Sequence, residues 1–232
     1  LFLQGLTPRA YAVAIEKDGY FRWEKTLSVL PEHVTEVSAL LVKDPPEGAI
    51  LEKGSYTSLA FLDSSEEILA LKDPKKRDLY YSIDDAKMIA RPSVFAATTT
   101  RDLPEDVEQL LAEKKPKGYD YNSDDGRIIW WDDHSVSIRW LEGEEFLPPY
   151  TEKLEDEIFH SQHAIRNVRF YPFRDAIIVA FANEIRVVEL DGRGKRNEYP
   201  LYKGREPVFE ISLERSQIFI LDDGNLFMIP LL

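Results

Sequence analysis

His160 and His163, three positions apart, follow the acids Asp156 and Glu157. Two imidazoles with a carboxylate are a donor set for zinc. The spacing is short, and a structural site wants four ligands while a catalytic one wants three with an open position. A polar loop ahead of a strand explains the same residues. Asp120, Asn122, Asp124, Asp125 and Gly126 follow the outline of a calcium loop, but the glycine falls one place late and Trp131 stands where a bidentate glutamate would sit. A hairpin turn needs these residue types without an ion. No metal or cofactor is therefore expected, His160 and His163 being the weak candidates.

The acidic pairs Asp84-Asp85, Asp132-Asp133, Glu144-Glu145 and Asp222-Asp223 raise glycoside hydrolysis, which needs two carboxyl groups flanking one bond. Neighbours along a strand point to opposite faces, so adjacency does not bring the two acids of a pair together. There is no Gly-x-Ser-x-Gly elbow, phosphate-cradling glycine loop or dinucleotide fingerprint, and cysteine is absent. The chain is expected not to be an enzyme. Alternation also sends Trp130 and Trp131 to opposite sides of a strand. Packing is the default for both, but a ring exposed beside Asp132 and Asp133 could stack on a sugar or anchor a partner. Arg193, Lys195 and Arg196 read as a loop kept soluble by charge, with an acidic partner as the alternative.

The elements that hold these residues repeat. Phe61/Ile68, Tyr121/Ile128, Phe170/Ile177 and Ile211/Ile218 each place an aromatic or aliphatic residue seven positions before an isoleucine, across a polar turn. Successive first anchors lie 60, 49 and 41 positions apart. That brackets the period of four-stranded propeller blades, roughly 40–50 residues. The fold class is all-β, with a β-propeller or propeller segment of about four blades over 51–232. Two insertions interrupt it. Leu103 to Lys115 carries Pro104 at its start, acids in its first turn, lysines at its end and Val107, Leu110 and Leu111 on one stripe, which predicts a helix near 103–115. Pro148 to Gln162 is a weaker helical candidate through Leu154, Ile158 and Phe159. The stretch 85–118 leaves room for further blades.

Ahead of the repeats, Tyr11, Val13 and Ile15 alternate up to Asp18-Gly19, a type I′ hairpin signal. Tyr20 to Trp23, Thr26 to Val29 and Val34 to Val42 give further strands of a small sandwich over 1–43. Residues 44–50, with Pro45 and Pro46, read as a linker.

Leu6-x-Pro8-x-x-Tyr11, the strand Tyr11 to Ile15, Gly19-Tyr20, Trp23, Val29 and Val34 resemble the later half of a PEGA domain, an immunoglobulin-like β-sandwich of surface and envelope proteins. Arg9 stands where that family commonly has glycine. Asn122 to Ile129 resembles the strand-turn-strand element of TolB-type and WD40-like propellers, and Ile185 to Asn197 resembles the propeller of PEGA-plus-propeller envelope proteins. The resemblance implies a cell-envelope or extracellular location and a scaffolding or recognition task. A half sandwich would leave an open sheet edge.

Composition bounds the partners. The net charge of −13 over 232 residues repels phosphate, so nucleic acid is not expected as a partner. No apolar run is long enough to span a bilayer, and the chain begins at Leu1, so a processed or truncated polypeptide is expected, with membrane attachment only through a segment absent from this chain. The function expected is non-enzymatic binding through propeller loops. The partner is a protein, the chain itself or a glycan. The alternatives are a propeller hydrolase acting on glycan or peptide, and a structural subunit of a surface assembly.

Overall fold

The computed structural model describes residues 3–92 and 103–231; of the stretch 85–118, residues 93–102 lie outside it. Two strands, β1 (Arg9–Ile15) and β2 (Trp23–Val29), form an antiparallel ribbon, and β3 (Ala49–Glu52) follows. The strands β4 (Ser58–Phe61), β5 (Ile68–Lys72), β6 (Asp78–Ser82) and β7 (Lys87–Ile89) make blade 1. Helix α1 (Glu105–Lys114) precedes blade 2, built from β8 (Gly118–Asn122), β9 (Arg127–Trp131), β10 (Ser135–Trp140) and β11 (Glu155–His160). Blade 3 holds β12 (Asn167–Phe170), β13 (Ala176–Ala180), β14 (Glu184–Glu189) and β15 (Glu198–Lys203). Blade 4 holds β16 (Val208–Ser212), β17 (Gln217–Asp222) and β18 (Asn225–Pro230), and its fourth strand is β3, from the far end of the chain.

The anchors of the sequence repeat are cross-strand partners. Tyr121 faces Ile128, Phe170 faces Ile177 and Ile211 faces Ile218. In blade 1 the register moves by one, so Phe61 faces Leu69, because the Leu62 amide closes the hairpin on the Ile68 carbonyl. In three blades the residue two before the second anchor turns the chain with positive φ: Glu66 (55°), Gly126 (54°) and Ser216 (49°). A glutamate pays for that conformation in Cβ crowding that glycine avoids. Glu66→Gly is expected to raise stability by about 0.5–1 kcal/mol, read as a higher urea midpoint; an unchanged or lower midpoint would show that the turn is not strained.

The first strands of the blades lie side by side at the centre, β8 against β12, β12 against β16 and β16 against β4. Shared apolar cores join blade 2 to blade 3, blade 3 to blade 4 and blade 4 to blade 1. Among the described residues the sheets form an open array, not a closed ring. On β9, Ile129 and Trp131 face blade 3, while Ile128 and Trp130 face α1, whose Val107 and Leu110 are buried against them. The helix thus covers the blade face that a further blade would otherwise cover. It ends on Lys115 in the left-handed conformation, whose amide donates to Leu111 O.

Of the sandwich expected over 1–43, the described residues 3–43 form only the two-stranded ribbon, and its Trp23, Lys25 and Leu27 face is buried. That face needs a cover, and blade 3 supplies it: Trp23 and Lys25 bond Glu189 directly. Gly194, at φ 69°, lets the β14–β15 turn approach the backbone of Thr26, where a Cβ would come within 2.9 Å of its amide nitrogen. With its place taken, a second sheet does not form. Val34 to Val42 pairs with nothing beyond an isolated Tyr20–Lys43 bridge, and Leu40 and Val42 drop into the core of blades 3 and 4. The Asp18-Gly19 turn has positive φ at Gly19 alone, so it is not type I′; the Tyr20 amide closes it on Lys17 O. The expected helix at 148–162 is also corrected. The stretch contains β11, paired with β10, after a short 3-10 turn at Glu144–Phe146.

Candidate binding groove

Between the outer edges of blades 3 and 4 runs an apolar groove in two connected parts, of about 260 and 350 Å³, which share Pro46, Leu201 and Ile229. Blade geometry produces it. Among the described residues the outermost strands β15 and β3 each pair on one side only, so two free edges border the depression. Phe227 and Ile229 of β18 form part of the floor, and Leu40 and Val42 of the N-terminal segment line one end. Ile50 on β3 stands 53% exposed at the lip. Tyr171 closes the floor; its hydroxyl donates to Leu231 O, and burial pushes its pKa up to about 12.

The charges lining the groove are Lys43, Arg174 and Lys203, with no carboxylate among the lining side chains. That composition is against the grain of a chain with 42 acids and 29 bases. Lys43 is held by Glu47 at 3.0 Å, a bond that raises its pKa. Arg174 and Lys203 have no carboxylate partner among the described residues. Beside Arg174, Phe173 is 71% exposed and has φ 55°. An exposed aromatic residue held in the left-handed region is a conformation that folding alone does not favour.

The residues expected to bind are mostly employed elsewhere. Trp130 and Trp131 do point to opposite faces, but both are buried, at 7% and 5% exposure, so neither ring is available for stacking. Trp130 packs on α1, with Lys114 Nζ 5.8 Å from its ring centre, and Trp131 packs between blades 2 and 3. Asp132 accepts from the His134 and Ser135 amides and the Ser135 hydroxyl, a turn role that lowers its pKa. Asp133 pairs with Lys117 at 2.7 Å. Arg193 is fastened to Asp191 and donates to Glu36 O, and Arg196 lies 3.5 Å from Asp156. Lys195 is exposed, and its carbonyl accepts from Lys25. His160 lies 3.8 Å from Glu157 on the surface, while Asp156 turns to Lys153 and Arg196. No group of three metal-ligating side chains gathers among the described residues.

A second polar locus lies on the central strands, one residue before each first anchor: Asp120, Arg169 and Glu210, with Ala60 at the matching place in blade 1. Asp120 accepts from the Phe170 amide at 2.9 Å, and Arg169 lies 4.0 Å from Glu210. Blades 2, 3 and 4 are tied here through their innermost strands. Burial raises the pKa of both acids, with Arg169 pulling the other way. A carboxyl whose folded pKa is raised costs nothing where both states are protonated; the cost grows as pH climbs from the ordinary carboxyl value to the raised one and is constant above it. Glu210→Gln is therefore expected to have a higher urea midpoint than the parent at neutral pH, converging with it below about pH 4. A lower midpoint at neutral pH would show that the Arg169 attraction outweighs burial.

Neither locus was singled out in the sequence. For the central charges a signal existed, since a charged residue precedes the first anchor in three of the four repeats, Asp120, Arg169 and Glu210. For the groove none did: Lys43, Arg174 and Lys203 come from three distant segments.

No model of a known protein family matches the chain, and no curated protein matches it. Among solved structures it is similar to a chain of a nidogen/laminin complex, at 14% identity and TM-score 0.36, over 74% of this chain and 58% of that one. It is also similar to the β-propeller domain of Cps50 (Swd1) from Myceliophteria thermophila, at 8% identity and TM-score 0.34, over 76% of this chain and 55% of that one. YCF48 from Cyanidioschyzon merolae gives 12% identity and TM-score 0.36, over 76% of this chain and 51% of that one. The chain thus spans between 51% and 58% of the length of these proteins. At these scores the propeller-like assignment rests on the four sheets and their shared cores.

Proposed function

We propose that the chain is a non-enzymatic recognition or scaffolding module of the cell envelope that holds a protein partner in the groove between blades 3 and 4. One observation carries the reading: an apolar groove bordered by two free strand edges, with Ile50 exposed at its lip. Apolar floors and unpaired edges are the two features by which sheets take up extended partners. The envelope placement rests on the PEGA-like residues Leu6 to Trp23 and on the propeller-like turn at Asn122 to Ile129. A photo-reactive residue in place of Ile50 is expected to crosslink one partner in native envelopes, and the same residue in place of Ser64, on a blade 1 turn, is not. No adduct, or the same adducts from both positions, would sink the reading.

A structural role in a surface assembly is favoured by β1. Its outer edge pairs with no strand among the described residues over its seven positions, with no charge between Arg9 and Glu16. Such an edge pairs with a second strand unless blocked. Under this reading the mass in solution rises with concentration and Ala12→Pro abolishes the rise; a concentration-independent monomer would remove it. The hydrolase alternative would draw on Asp120 and Glu210, and it requires turnover of a glycan or peptide that Glu210→Gln eliminates.

A further inference from the structure

We propose that the occupant of the groove is an extended protein segment in which apolar side chains alternate with aspartate or glutamate, laid as an added strand along β3. This rests on the reading of the groove as a partner site. Three features fix the chemistry.

The backbone comes first. Of the two bordering edges, β15 contains Pro200, which has no amide hydrogen to offer and blunts that edge against ladder formation. The β3 edge, Ala49–Glu52, contains no proline and pairs only with β18. Hydrogen bonding therefore falls to β3, and an occupant bonded along a strand edge is itself extended.

The floor comes second. Tyr202, Phe227 and Ile229 present apolar surface below that edge, and every other side chain of an added strand points down to it.

The rim comes third. The charged side chains lining the groove that have no carboxylate partner among the described residues are Lys203 in one part and Arg174 in the other. A basic occupant would meet these cations with no acid among the lining side chains to offset them; an acidic one meets complementary charge on a protein whose mean field otherwise repels it.

The experiment uses the full chain against an immobilised library of peptides about ten residues long, alternating apolar with charged positions, half carrying Asp or Glu and half Lys or Arg. Acidic members are expected to be retained about fivefold to tenfold more tightly than their basic counterparts, with the margin shrinking as salt is raised. In the double variant Arg174→Glu/Lys203→Glu the preference is expected to invert. Both positions are exposed or solvent-facing, and circular dichroism verifies that the variant folds. Ile50→Pro, which removes an amide from the β3 edge, is expected to abolish retention of both classes. Equal retention of the two classes, no retention at millimolar protein, or a preference untouched by the double variant would each overturn the proposal. If Ile50 nevertheless crosslinks a single envelope partner, the groove is a partner site and only the occupant's chemistry is wrong. If it does not, both readings fall.

Discussion

Lys25→Ala is expected to cost about 3–5 kcal/mol of stability, a large share of the roughly 5–15 kcal/mol that holds a domain folded. The Lys25 ammonium donates to Asp191 O at 2.5 Å and to Lys195 O at 2.8 Å, and lies 3.2 Å from Glu189 Oε2. Glu189 also accepts from Trp23 Nε1 at 2.7 Å and Asn197 Nδ2 at 2.8 Å. The two charged side chains are 1% and 3% exposed. Alanine would leave a carboxylate without its counter-charge and two carbonyls without a donor, away from water. Lys25→Met/Glu189→Gln, which removes both charges and keeps an acceptor for Trp23, is expected to recover much of the loss. Urea unfolding followed by tryptophan fluorescence and circular dichroism reads each variant. A midpoint within about 0.5 kcal/mol of the parent would mean that the ribbon is not docked on blade 3. Two separated transitions in Lys25→Ala would mean that it releases before the blades unfold.

Trp131→Ala is expected to cost about 3–5 kcal/mol as well, for a different reason. The ring is packed between blades 2 and 3 with Ile138, Val168 and Val179, and it passes so close to Gly118 that a Cβ there would lie 2.3 Å from it. Removing it opens a cavity along a seam that two blades share. Trp131→Phe, which keeps most of the apolar volume, is expected to lose much less. The indole nitrogen has no hydrogen-bond partner among the described residues, so equal losses would show that the seam needs the shape of the indole and not apolar volume alone. It follows that any partner lost in Trp131→Ala would report unfolding of the seam; Arg174→Glu and Lys203→Glu are the surface substitutions that test binding.

The repeat was legible because in blades 2, 3 and 4 its anchors are paired across a hairpin, and a near-fixed separation across a short turn survives in sequence. The helix was legible for the same reason: Pro104, the first-turn acids and the Val107/Leu110/Leu111 stripe are all local. What failed depended on distant partners. Trp23, Lys25 and Leu27 share one face of β2, and nothing nearby tells whether that face meets a second sheet or blade 3; a lysine in its middle argues against burial until Glu189 is known. At 148–162, Leu154 and Ile158 are four apart as on a helix, yet the free edge of β10 draws the segment into the sheet. Trp130 and Trp131 were rightly placed on opposite faces, but only the position of α1 shows that the outward one is covered. The groove was invisible because Pro46, Leu201 and Ile229 meet only after blade 4 takes its fourth strand from the other end of the chain.

That borrowed strand also sets a timetable for biogenesis. On the ribosome, Ala49–Glu52 emerges long before β18 and must wait for it before its backbone finds a partner. Until then Ile50 and Leu51 sit on an unsatisfied segment, and the wall of the groove that β3 provides does not yet exist. A nascent chain that has not yet reached Pro230 therefore lacks the binding surface altogether, so that competence for a partner waits on the synthesis of β18.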